Sequence, residues 1–138
     1  MERPRTVTGL CLRTGTPLEE LTLPCVFCGT LMSRTDLDHF DYAALQLTWK
    51  DESPYGSCVR CLLASSRYER EHFCTGIWTL HEWYGPLNGP LFQDFIRCLY
   101  CYAPLTPGEK LQLLLDNSCI HRIRGRFRAP CRLCRYLQ

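Results

Sequence analysis

Eight of the eleven cysteines fall into four Cys-x-x-Cys pairs, Cys25/Cys28, Cys58/Cys61, Cys98/Cys101 and Cys131/Cys134. Two such knuckles can place four thiolates around one Zn2+ at about 2.3 Å each, the closed tetrahedral arrangement of a structural site, which leaves no position for a catalytic water. Twenty-nine residues separate Cys28 from Cys58 and Cys101 from Cys131, so the second set repeats the first at a constant offset of 73. Duplicated units normally keep their own metal, which pairs Cys25/Cys28 with Cys58/Cys61 and Cys98/Cys101 with Cys131/Cys134. An odd cysteine count cannot pair fully as disulfides. The opening Met1-Glu2-Arg3-Pro4-Arg5 carries no secretory core, and a reducing compartment favours metal thiolates over crosslinks or redox motifs. Iron in a rubredoxin-like site is the minor alternative to zinc. Cys11, Cys74 and Cys119, and the histidines His39, His72, His81 and His121, are read as packing or surface residues, because the four-cysteine sets are complete without them. With no paired carboxylates, Gly-rich phosphate loop or Ser/His/Asp arrangement, the expectation is a protein that is not an enzyme.

The elements that must carry these knuckles follow the repeat. Each unit reads as knuckle, short helix, strand, knuckle and the start of another helix. Thr106-Pro107-Gly108-Glu109 is a strong helix start, with an N-cap Thr, Pro at the first helical position and Glu three after the cap, and Ser33 to Asp36 is its weaker equivalent. Helices are predicted near 34–43 and 107–116. Leu45 to Trp49 alternates as a half-buried strand, with Asp51 to Gly56 as the following turn. Ile120, Arg122, Arg124, Arg126 and Arg128 share one parity, which predicts four arginines on one strand face. The predicted domains are a mobile arm over 1–17, a first zinc domain over 18–61, a linker helix and loop over 62–90, and a second zinc domain over 91–138. The linker helix runs to about Phe73, and the breaker-rich Gly85 to Pro90 forms its loop. The fold class is α+β, two duplicated small zinc-binding domains joined by a linker helix.

Composition is globular, with 46% hydrophobic and 22% charged residues, and no apolar run is long enough for a membrane span. Sixteen basic against fourteen acidic residues give +2, but eight thiolates and two divalent zinc ions remove four charges and leave −2. Overall charge therefore argues against a nucleic-acid binder. The six arginines and absent acids after Ser118 keep one alternative open, a zinc-dependent nucleic-acid-binding transcription regulator using that Arg face with weak affinity.

Several segments together carry a resemblance: Leu23-Pro24-Cys25-Val26-Phe27-Cys28, Trp49-Lys50-Asp51, Pro54-Tyr55-Gly56-Ser57-Cys58, Ile96-Arg97-Cys98, Pro104 to Lys110, and Ile123-Arg124-Gly125-Arg126-Phe127. With the four knuckles, they make residues 8 to 136 resemble the papillomavirus early protein six, the small transforming oncoprotein. The resemblance implies a groove between two zinc domains that captures acidic Leu-x-x-Leu-Leu helices of host proteins. By position, Val26, Phe27, Leu45, Thr48, Leu62, Ser65, Tyr68, Glu69 and Phe95 would line it, and Arg97, Arg124 and Arg126 would clamp the acids. Implied partners are a HECT ubiquitin ligase, mastermind-like coactivators of Notch signalling, or paxillin. Implied consequences are altered transcription, apoptosis and differentiation in the host nucleus and cytoplasm. Tyr42 matches an aromatic associated in the family with weak self-association and with capture of a tumour suppressor. The C-terminal Arg135-Tyr136-Leu137-Gln138 lacks the Ser/Thr motif with an aliphatic last residue, so no PDZ partner is expected, and none in a membrane.

Overall fold

The computed structural model describes residues 3–85 and 90–135. Most of the predicted Gly85 to Pro90 loop lies outside the described residues, as does the C-terminal 136–138. The chain divides into two compact units, Met1–Leu63 and Ala64–Gln138.

In the first unit, α1 (Val7–Thr14) starts at Thr6, whose side chain accepts from Gly9 N, and stops at Gly15, which is left-handed at φ 69°. A short 3-10 turn spans Leu18–Glu20. The helix α2 (Arg34–Tyr42) carries a full capping box, with Ser33 and Asp36 each accepting from the other's backbone. Strands β1 (Thr48–Lys50) and β2 (Ser53–Tyr55) form an antiparallel hairpin. Leu23, Met32, Leu37, Phe40 and Leu47 make the core together with Val7 and Leu10 of α1.

Residues 3–17 are therefore not a mobile arm. The Asp41 carboxylate accepts from Val7 N at 2.8 Å and from Thr8 N at 2.9 Å, satisfying two orphan donors at the start of α1. Leu47 N donates to Arg5 O at 2.8 Å, and Trp49 Nε1 to Pro4 O at 2.9 Å. Burial from Leu45 to Trp49 alternates as expected, but the ladder begins only at Thr48, because the Leu47 N–H is spent on this N-terminal segment.

Helix α3 (Val59–His72) begins in the first unit and ends in the second. After it come β3 (Cys74–Thr79), α4 (Leu80–Tyr84), α5 (Pro90–Gln93), β4 (Arg97–Cys98), α6 (Pro107–Leu115), β5 (Cys119–Ile123), β6 (Arg126–Ala129) and α7 (Arg132–Arg135). The sheet order is β3-β5-β6-β4, with β4 parallel to β6 and the other pairs antiparallel. Leu80, Leu91, Ile96, Leu99, Leu113 and Ile120 are fully buried in this unit.

The second unit departs from the sequence expectation in two places. The 62–90 stretch is not only linker: from Ala64 onward it belongs to the second unit, and β3 is one of the two edge strands of that unit's sheet. Gly76 is required there because the Trp78 indole lies where a Cβ would project. The four arginines also do not share one strand face. Arg124 and Gly125 are left-handed, at φ 52° and 79°, and form a two-residue hairpin turn between β5 and β6. Arg122 then pairs with Phe127, while Arg126 and Arg128 pair with Ile123 and His121 on the opposite face.

Candidate metal centres and partner surface

The two cysteine sets close as the sequence predicts. In each, the four Sγ atoms lie within 4.8 Å of one another. Cys28 Sγ to Cys58 Sγ is 3.9 Å, and Cys101 Sγ to Cys131 Sγ is also 3.9 Å. A tetrahedron of thiolates 2.3 Å from a zinc has edges of about 3.8 Å, so the donor sets fit that ion.

The duplication holds bond for bond. Cys25 N donates to Thr30 O and Cys98 N to Ala103 O; Val26 N donates to Gly56 O and Leu99 N to Ala129 O. Cys58 N donates to Cys25 Sγ at 3.4 Å, and Cys131 N to Cys98 Sγ at 3.3 Å. Such N–H donors orient a thiolate and offset its charge.

The centres differ in shelter. All four cysteines of the second set are buried, whereas Cys28 is exposed and Cys61 half-buried. The Thr30 hydroxyl and backbone N–H hold the Cys28 thiol down to about 6. Burial pushes Cys61 and Cys134 up to about 12, with hydrogen bonding from Cys58 adding in the first case and the Cys98 charge in the second.

Left-handed residues close both knuckles: Gly29 at φ 76° in the first, and Tyr102, one repeat later, at φ 68° in the second. A bulky residue in this region is strained, and its surroundings hold it there. The Tyr102 hydroxyl donates to Glu69 Oε1 in a short hydrogen bond and bonds Ser65 Oγ at 3.3 Å. Arg128 stacks over its ring at 4.2 Å, and its carbonyl accepts from Arg97 Nη1 at 2.7 Å. Arg128 also donates to Cys98 O and Leu99 O, at 3.0 and 3.3 Å, and Arg70 to Leu99 O at 3.2 Å. These guanidinium groups brace the buried knuckle. Tyr102 and Arg70 were not among the residues singled out from sequence, and Arg128 was noted only as one of the alternating arginines, although the left-handed need at 102 follows from Gly29 at the repeat offset.

The remaining sequence-predicted site residues can be placed unit by unit. In the first, Val26 and Leu45 are half-buried, Thr48 is exposed, Leu62 is buried, and Phe27 keeps 67% of its surface exposed. In the second, Ser65 is bound to Tyr102, and Tyr68 stacks on His72 at 4.1 Å. Glu69 meets Arg124 at 3.1 Å and Arg128 at 3.4 Å, so its carboxylate is answered from within the unit. Arg124, stacked over Phe73 at 3.8 Å, is correspondingly engaged. Phe95 is 62% exposed beneath the Arg97 guanidinium, 5.1 Å from its ring centre. Asp94, Phe95, Ile96, Gly125, Arg126 and Phe127 line a recess of about 330 Å³.

The remaining cysteines and histidines stay outside both clusters. Cys11 packs half-buried on the first core, Cys74 donates to Gly76 O, and Cys119 is exposed. His81 bonds Leu114 O and His72 bonds Tyr68 O.

Fold and sites together define a tandem pair of α+β domains, each built on a four-cysteine structural zinc centre. A family model described as Early Protein (E6) matches residues 25–134. Protein E6 of human papillomavirus type 18 is 32% identical over 135 residues, covering 96% of this chain and 84% of its own length. Protein E6 of human papillomavirus 27 is 35% identical over 135 residues, covering 95% and 82%. Protein E6 of human papillomavirus type 49 is 32% identical over 138 residues, with both chains fully covered. The chain belongs to the papillomavirus E6 early-protein family.

Proposed function

We propose that the chain is a non-enzymatic adaptor that captures short acidic helices of Leu-x-x-Leu-Leu type on host proteins. Through them it redirects a host ubiquitin ligase or represses a mastermind-like coactivator of Notch. The observation that carries this reading is the recess between Phe95 and the β5–β6 turn. Arg126 on its wall is exposed, and no acidic side chain pairs with it among the described residues. Burial, and then the charges of Arg128 and Arg126, push Arg97 below the ordinary guanidinium range. Asp94, which also lines the recess, accepts from the Tyr84 hydroxyl at 2.6 Å; a carboxylate-bearing helix meets Arg126, while Phe95 and Phe127 offer apolar contact for leucines. Glu69 occupies Arg124 and Arg128, so Arg126 is the guanidinium that meets a ligand's acids in this reading.

The nucleic-acid alternative draws on the six arginines and absent acids after Ser118; the turn at Arg124–Gly125 divides Arg122 from Arg126 and Arg128, which favours the adaptor reading over it. The adaptor reading places the chain in the host nucleus and cytoplasm, where such partners are met.

Fluorescence polarisation with labelled Leu-x-x-Leu-Leu peptides from the HECT ligase, mastermind-like coactivators and paxillin tests it. At least one should bind, and Arg126→Ala should weaken that binding by roughly 1–3 kcal/mol with both zincs retained. No binding to any peptide, or unchanged affinity in Arg126→Ala, would remove the proposal.

A further inference from the structure

In each zinc centre the two knuckles are far apart in sequence, and something must hold the second in register with the first. The cysteine that opens the second knuckle, Cys58 or Cys131, stands immediately before a helix, α3 or α7. The first N–H groups of a helix have no intrahelical partner. One of these donors in each unit is taken by a carboxylate reaching across from the helix that follows the first knuckle. Asp36 Oδ1 accepts from Val59 N at 3.0 Å, and Glu109 Oε2 accepts from Arg132 N at 2.6 Å. The sequence separation is 23 residues in both. The other oxygen of each carboxylate is also spent alike: Asp36 Oδ2 accepts from Ser33 N and Glu109 Oε1 from Thr106 N, both at 2.9 Å.

The same two-oxygen arrangement thus occurs at positions 36 and 109, one repeat apart, with Asp in one and the longer Glu in the other. A capping box needs only one of the two oxygens. The second oxygen has been turned, in both repeats, onto the residue next to a metal-ligating cysteine. A negative group near a zinc tetrathiolate, itself formally −2, is unfavourable in charge, so its contribution must lie in geometry.

We propose that Asp36 and Glu109 are positioning residues for the zinc centres, each clamping the start of the second knuckle so that Cys58 or Cys131 is presented to the metal. The carboxylate ties the helix after the first knuckle to the helix that begins at the second. The four thiolates are thereby gathered with less to order when zinc arrives.

The test compares Asp36→Ala with Ser33→Ala. Both damage the cap of α2, but only the first removes the acceptor for Val59 N. Zinc affinity is read by competition with a colorimetric chelator, and geometry by the absorption bands of the cobalt-substituted protein. Asp36→Ala should lower the affinity of one of the two zincs by about tenfold or more and perturb the cobalt bands, as loss of a supporting hydrogen bond does elsewhere. Ser33→Ala should leave affinity within about threefold of the parent. Asp36→Asn, whose amide oxygen can still accept from Val59 N, should restore it. Equal weakening by Ser33→Ala and Asp36→Ala, or unchanged affinity in Asp36→Ala, would overturn the proposal. Should Asp36→Ala fail to fold, Glu109→Ala against Thr106→Ala makes the same comparison in the second unit, with the same deciding outcomes.

Discussion

Glu69→Gln is the perturbation whose magnitude the structure fixes best. The Glu69 carboxylate is 15% exposed and meets two guanidinium groups of very different shelter, Arg128 at 7% and Arg124 at 56%. The Arg124 pair is screened and contributes at most about 1 kcal/mol. The Arg128 pair is buried, where removing one partner strands a charge at about 3–5 kcal/mol. Arg128 keeps the Cys98 and Leu99 carbonyls as acceptors, and Gln still offers an amide oxygen, so the loss should fall to about 2–3 kcal/mol. Urea unfolding of the zinc-loaded chain, followed by fluorescence of Trp78 and Trp83 in the second unit, measures it. The double-mutant cycle with Arg128→Met isolates the pair, and a coupling of at least about 1 kcal/mol is expected. A loss below about 0.5 kcal/mol with no coupling would show that the carbonyls alone satisfy Arg128, and the reasoning would fail.

Two further outcomes follow. Because Cys28 is exposed while the whole second set is buried, a chelator should remove zinc in two phases, the faster from the first unit; Cys28→Ser should abolish the fast phase and leave the slow one unchanged. Burial, and next the Arg70 charge, lower the pKa of His121, so the folded state binds its proton less readily than the unfolded chain. Stability of the second unit should therefore decline as pH falls below about 6.5, and His121→Gln should flatten that decline in urea titrations at stepped pH.

The metal centres were legible in the sequence because zinc chemistry imposes local spacing: a knuckle needs two cysteines three apart wherever it sits. The capping boxes at Ser33 and Thr106 were legible for the same reason, being confined to four residues. What escaped was decided over long range. Residues 3–17 contain Pro4, Gly9 and Gly15 and look unstructured alone, but Asp41 and the Leu47 and Trp49 donors hold them in place. The β3 strand is recognisable only once β5 exists to pair with it. Parity over 120–128 failed because Arg124–Gly125 is a turn. Gly125 was the one available turn signal, outweighed by an unbroken alternation of arginines. The Tyr102 to Glu69 to Arg128 network joins three segments that no short window spans.

The central claim is that each unit is organised by its own four-cysteine zinc centre. Native mass spectrometry of the chain and of Cys58→Ser and Cys131→Ser tests it most directly. Two zincs in the parent and one in each variant, with only the altered unit losing structure, is the expected result. Two zincs retained in either variant, or both lost together, would contradict it.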